Sequence, residues 1–318
     1  MHNKATSVST NDIGLGHDLQ NLTTIANLAP EAIDRLLNHA LSFAAIGKHK
    51  SPYPQTLKGR AIIAFFAENS TRTRLSFEMA VKRLGGDFLL LTAEGSALKK
   101  GESDLDTLKT LNALHPDALI VRHAQNHFSE RATQHMNCPV LNAGDGTNEH
   151  PTQALLDALT LREHFGNLTG LRVTICGDIK HSRVARSNVM LLNKLGADVT
   201  CVAPKHMSSD IQGATHSTDF EASIQEADVI MMLRIQRERL NQDINTEDYI
   251  TDYQLNTTRL ALAPPHCMVM HPGPMNRTVE VSNAVADNEN RSLIARQVEN
   301  GVYTRMACLD ILLNSPSF

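Results

Sequence analysis

Short, almost wholly apolar stretches recur along the chain at 61–66, 88–91, 118–121, 140–141, 172–176, 198–202, 229–233 and 268–270. Most are separated by a segment of helix length with one apolar face. Strand followed by helix, repeated at this spacing, predicts an α/β fold of mostly parallel sheets with helices on both faces. Helices are predicted at 30–45, where Pro30 suits the first turn, and at 73–84, where Gly85 and Gly86 stop the run. Others are predicted at 151–164, at 182–195 ahead of Gly196, and at 292–313.

At 318 residues the chain exceeds what one core usually serves, so two domains with a cleft between them are expected. The turn-rich run GDGTNEHP interrupts the alternation and places a boundary near 150. This gives a disordered segment at 1–17, one domain at 18–150, a second at 151–291, and a final helical segment at 292–318 that packs back on the first. No fixed-period repeat is visible.

Charge and composition narrow the classes. Thirty Lys and Arg against thirty-four Asp and Glu leave a net charge of −4 without like-charge blocks, which implies neither nucleic acid nor a membrane surface as partner. No apolar run approaches the roughly 20 residues that cross a bilayer. The polar start, MHNKATSVSTND, lacks the apolar core of a secretory signal, so a cytoplasmic address is expected. Five widely spaced cysteines without a CxxC pair argue against a disulfide framework or a thiolate zinc site. Of the fifteen histidines, only His123 and His127 have helical spacing, and no HExxH pattern surrounds them, so no metal is expected.

The run Ser70-Thr71-Arg72-Thr73-Arg74 follows the predicted strand at 61–66 and opens a helix. Free N–H groups, the positive end of the helix, hydroxyls and guanidinium groups together make an anion site suited to a phosphate ester. The plainer alternative is an ordinary N-cap with surface arginines. His150 opens the next such helix and Gln153 shares its face three residues on; a lone histidine there would more often be a cap or core residue. Arg234 follows the predicted strand at 229–233, and strand C-terminal ends are where open α/β sheets place ligands, whereas a solvated helix-end charge is the alternative. The polar, glycine-containing run EGSALKKGE at 94–102 suits a mobile surface loop.

FFAENSTRTRLSFE, LKKGES, VRHAQ, LNAGDGTNEHPTQALLD, GDIKHSRVARSN, LRIQRER and MHPGPMNR occur in this order. The series resembles the aspartate and ornithine carbamoyltransferases, and within them the aspartate branch. Asn69 stands where many relatives carry Pro or Ala, and Gly273 where some carry Leu or Ala; neither change removes a functional side chain. The resemblance implies transfer of a carbamoyl group from carbamoyl phosphate to L-aspartate, an early step of de novo pyrimidine biosynthesis, without organic cofactor or metal. It gives the first domain to carbamoyl phosphate and the second to aspartate.

By that resemblance, Ser70, Thr71, Arg72, Thr73 and Arg122 hold the phosphate, with Arg72 near the bridging oxygen where charge grows. His150, Thr73 and Arg122 donate to the carbamoyl oxygen, while Gln153 and the carbonyls of Pro272 and Gly273 accept from its NH2, with Pro274 beside them. Arg183, Arg234 and Gln236 bind the aspartate carboxylates. Ser96 and Lys100 reach into a neighbouring subunit's site, Lys100 in a catalytic role, which implies a homotrimer with shared sites. Whether regulatory or dihydroorotase-like chains join such a trimer is left open.

Ornithine or another amine is the nearest alternative acceptor. An ammonium in place of a carboxylate beside Arg234 would cost on the order of 4 kcal/mol at about 4 Å and an effective dielectric near 20. A dehydrogenase is disfavoured because GDIKHS lacks GxGxxG, and a non-catalytic anion-binding homologue would be expected to lose a key side chain.

Overall fold

The computed structural model describes residues 19–92, 101–236 and 246–314, so the disorder expected at 1–17 lies outside the described residues. The first half runs α1 (Pro30–Lys48), β1 (Ala61–Phe66), α2 (Thr71–Arg83), β2 (Asp87–Thr92), α3 (Asp104–Ala113), β3 (Ala118–His123), α4 (Phe128–Thr133), β4 (Val140–Asp145) and α5 (Pro151–Phe165). The second runs β5 (Arg172–Cys176), α6 (Arg183–Lys194), β6 (Asp198–Val202), β7 (Thr215–Ser217), α7 (Phe220–Ile224), β8 (Val229–Met232), α8 (Thr246–Tyr253), α9 (Thr257–Leu260), β9 (Met268–Met270), α10 (Asn283–Ala286) and α11 (Ile294–Asn314). Two parallel sheets result, ordered β2-β1-β3-β4 and β7-β6-β5-β8-β9. The predicted fold class is therefore observed.

The continuous apolar runs have a simple cause: the inner strands are covered on both faces. In β1, Ile62, Ala64 and Phe66 join a core shared with α1, α2 and α11, while Ile63 and Phe65 face α3 and α4. In β8, Val229 and Met231 face the same large core, and Ile230 and Met232 face the side carrying α7, α9 and α10. That large core runs through α5 and α6 and so spans both halves. Helix α11 leaves the second sheet and lies against α1, α2 and α5.

Two local expectations change. Strand β4 continues to Asp145 instead of ending at 141, where polar side chains replace apolar ones: Asn142 Oδ1 accepts from the amide of Gly144, and Asn142 Nδ2 donates to the carboxylate of Asp145. His123 and His127 are not on one helix. His123 ends β3 and stacks on Phe128 at 3.9 Å between ring centroids, whereas His127 takes a left-handed turn at φ 60° ahead of α4. The short edge strand β7, polar along its length, had no apolar signal to announce it.

Candidate active site

Residues at or just after the C-terminal ends of β1, β3, β5, β8 and β9, with the start of α5, line a cleft of about 870 Å³. Ser70, Thr71, Arg72, Thr73, Arg122, His150, Gln153, Arg183, Arg234, Gln236, Pro272, Gly273 and Pro274 all line it. Ser96 and Lys100 lie outside the described residues.

The turn after β1 keeps its donors for the cleft. Ser70 occupies the N-cap position of α2 with extended backbone, yet its side chain caps nothing, and the first turn has no acidic residue. The ordinary N-cap geometry is therefore not seen, since the Ser70 hydroxyl does not bond the first amides of α2. Burial, and the charge of Arg234 across the cleft, pull the Arg72 guanidinium below its usual range. Cations are gathered here at an electrostatic cost, the expected property of a site awaiting anions.

A bulge sets the position of Arg122. Val121 pairs with Asn142 and His123 with Asp145, so β4 has one more residue than β3 beside Arg122. Gly144 sits in that bulge at φ 114°, and a Cβ there would lie 2.9 Å from Arg122 Nη1 and 3.1 Å from Arg183 Cζ. Glycine lets the two guanidinium groups, one from each half, close on the same point. Between them lies Glu68. Its Oε1 accepts from Arg122 Nη2 and Arg183 Nη2, both at 2.5 Å, and its Oε2 accepts from Arg183 Nη1 at 3.2 Å.

His150 begins α5, but its ring does not cap the helix; Nε2 lies 3.5 Å from Thr73 Oγ1, and Nδ1 is buried without a partner among the described residues. Its amide donates to Ser187 Oγ at 2.9 Å, which fixes the backbone while the ring turns to the cleft. Burial above all, then Arg122, Arg183 and Arg305, hold this imidazole well below its ordinary pKa, so it is neutral near pH 7. Gln236 donates from Nε2 to the carbonyl of His181 at 3.0 Å, which leaves its amide oxygen turned the other way.

The sequence profile described as "Aspartate/ornithine carbamoyltransferase, carbamoyl-P binding domain" matches residues 20–163, and the one described as "Asp/Orn binding domain" matches 169–312. The aspartate carbamoyltransferase catalytic subunit of Granulibacter bethesdensis is 48% identical over 301 residues, covering 93% of this chain and 95% of its own. The chain belongs to the aspartate/ornithine carbamoyltransferase family. Among solved structures, Trypanosoma cruzi aspartate transcarbamoylase in complex with carbamoyl phosphate and aspartate superimposes with a TM-score of 0.84 at 30% identity, covering 93% of this chain and 97% of that one. Pyrococcus furiosus ornithine carbamoyltransferase gives the same TM-score, 0.84, at 29% identity and 94% and 98% coverage. The carbamoyltransferase fold therefore does not separate aspartate from ornithine; side chains must.

Several cleft groups of this carbamoyltransferase escaped sequence reasoning. Glu68 lies within FFAENSTRTRLSFE, two residues before Ser70, where a single carboxylate carries no spacing signal of its own. His271 sits at 2% exposure; its Nδ1 accepts from the Gly273 amide at 2.9 Å, and its Nε2 is buried without a partner among the described residues. Burial first, then Arg72 and Arg234, push its pKa down to about 3. Arg305 reaches the cleft from α11 over the ring of Phe77, and burial lowers its pKa to about 10. A lone arginine on the apolar face of α11 was the available signal.

Proposed function

We propose that this chain is an aspartate carbamoyltransferase, forming N-carbamoyl-L-aspartate and phosphate from carbamoyl phosphate and L-aspartate, an early step of de novo pyrimidine biosynthesis. The carrying observation is the convergence of Arg72, Arg122, Arg183 and Arg234 on one cleft with the uncapped start of α2. Two small anions, one with a phosphate and one with two carboxylates, match that set of donors.

On this reading residues 18–150 serve carbamoyl phosphate and 151–291 serve aspartate, with 292–318 returning to the first unit. Ser70, Thr71, Arg72, Thr73 and Arg122 hold the phosphate. His150 with Thr73 and Arg122 stabilises the carbamoyl oxygen, while Gln153 and the carbonyls of Pro272 and Gly273, next to Pro274, accept from the NH2 group. Arg183, Arg234 and Gln236 hold the aspartate carboxylates. The amine nitrogen attacks the carbamoyl carbon, a tetrahedral intermediate forms, and the bond from carbon to the bridging oxygen breaks as phosphate leaves. The depressed basicity of His150 makes it a poor base near neutral pH, so the departing phosphate takes the amine proton. Rate enhancement comes from placing the two anions together and from preorganised donors.

The reading includes a cytoplasmic homotrimer in which Ser96 and Lys100 act in a neighbour's site. Its support is an exposed apolar edge: Leu75 and Met79 on α2, and Leu89 and Leu90 on edge strand β2, are 38–53% exposed. Strand β2 ends at Thr92, just ahead of Ser96 and Lys100 in the sequence. Carbamoyl aspartate formation by the purified chain, with aspartate and ornithine supplied in parallel, tests the activity. Product from aspartate alone is expected; product from ornithine alone would refute it.

A further inference from the structure

Beneath the cleft floor, Asp157 is fully buried on α5, one turn beyond Gln153. Its Oδ1 accepts from Gln153 Nε2 at 2.9 Å and from Gln297 Nε2 of α11 at 2.8 Å. Its Oδ2 accepts from Asn188 Nδ2 of α6 at 2.9 Å. A carboxylate accepts only, so each amide facing it must present its NH2. For Gln153, which lines the cleft, the consequence is that the carbonyl oxygen is the end left for a ligand.

Gln297 passes the same constraint onward. With its NH2 committed to Asp157, its Oε1 accepts from the amide of His271 at 2.8 Å. His271 Nδ1 in turn accepts from the amide of Gly273 at 2.9 Å. With those two N–H groups held inward, the segment that carries Pro272 and Gly273 is fixed along the cleft wall.

We propose that Asp157 is a positioning residue that gives the site its selectivity for an acyl phosphate bearing NH2: it orients Gln153 directly, and the 271–273 segment through Gln297, so that only acceptors meet that group. The inference rests on the reading above, in which Gln153 and the carbonyls of Pro272 and Gly273 accept from the carbamoyl NH2. Burial raises the Asp157 pKa to about 6, against the opposing pull of Gln297, Asn188, Gln153 and Arg305, and this leaves it ionised at neutral pH. A neutral acid would have to donate one proton among three NH2 groups, and the orientation of Gln153 would no longer be set.

The test compares carbamoyl phosphate with acetyl phosphate, the same acyl phosphate with CH3 in place of NH2. Dissociation constants for both are measured by calorimetry on the wild type and on Asp157→Leu, which is close in size and accepts nothing. The wild type is expected to favour carbamoyl phosphate, and Asp157→Leu to lose that preference by on the order of tenfold, the worth of one to two hydrogen bonds. Asp157→Asn keeps an oxygen for Gln153 and Gln297 and gains a donor for Asn188 Oδ1, which has no partner among the described residues, so it should retain the preference within about threefold. A merely structural role would weaken both ligands alike. An unchanged ratio in Asp157→Leu, or an Asp157→Asn as indiscriminate as it, overturns the proposal. Should Asp157→Leu fail to fold, Gln297→Leu cuts one arm and should lower the ratio about threefold; an unchanged ratio there overturns it equally. If the wild type shows no preference, the role given to Gln153 falls, a result separable from failure of Asp157 alone.

Discussion

Replacing Glu68 by Gln isolates the charge that links the two halves of the cleft. The carboxylate takes hydrogen bonds from Arg122 and Arg183, whose side chains are 9% and 11% exposed, while its own is 24% exposed. Two guanidinium charges about 4 Å from the carboxylate at an effective dielectric near 20 give a gross attraction of about 4 kcal/mol each, most of it offset by desolvation. Breaking a buried pair by removing one partner costs about 3–5 kcal/mol, and the partial exposure of Glu68 places the expected loss nearer 2–3 kcal/mol. Glutamine keeps the volume and one acceptor oxygen for the two bonds made to Oε1, but it loses the charge and turns an NH2 toward Arg183 Nη1. For a chain of 318 residues, the ligand-free Tm should fall by about 3–5 °C. The same substitution removes one negative charge from beside Arg122 and Arg183 in the proposed anion site. Inorganic phosphate should therefore bind more tightly, on the order of tenfold at low salt, with the gain shrinking as salt is added. Scanning calorimetry and phosphate titration of wild type and E68Q measure both quantities. Weaker phosphate binding in E68Q would mean that Glu68 supports the anion site instead of occupying it, and an unchanged Tm would show that the two arginines need no partner.

His150→Ala should lower kcat by about 10²–10³, the usual cost of one oxyanion donor; a rate within twofold of wild type would leave His150 a packing residue. Arg234→Ala should raise the KM for aspartate far more than that for carbamoyl phosphate, and equal effects on both would contradict its assignment to the second substrate. His271, neutral with a pKa near 3, binds its proton more readily in the unfolded chain, so its contribution is full above about pH 6.5 and is lost as pH falls. From pH 7 to 5.5 wild type should therefore lose about 1 kcal/mol relative to His271→Asn, measured by denaturant unfolding at both values; a pH-independent difference would show that the imidazole protonates without cost. Mixing inactive Lys100→Ala and Arg72→Ala proteins under conditions of subunit exchange should restore partial activity. Hybrids proven by mass yet still inactive would confine residue 100 to its own subunit's site.

What the sequence by itself determined follows from local rules. An inner strand buried on both faces must be apolar throughout, so the strands near 61–66, 118–121, 172–176 and 229–232 were legible. The order strand, hydroxyl-and-arginine turn, helix was also legible at 61–83, because a helix start and its flanking side chains are set within one turn of chain. His150 and Gln153 could be placed on one helix face by their spacing alone. Only the tertiary structure decided which groups meet. Whether Ser70 caps its own helix depends on where its hydroxyl turns, and the partners of Glu68 come from β3 and α6, 54 and 115 residues away. Asp157 reads in sequence as one polar residue in an apolar helix; its role appears only when α6 and α11 bring Asn188 and Gln297 against it. Periodicity records how strongly a position is buried, since burial scales with the apolar character of one side chain. Hydrogen bonds and charges act over a few ångströms between residues far apart in the chain, so their pairing exists only once both sheets have packed on the shared core.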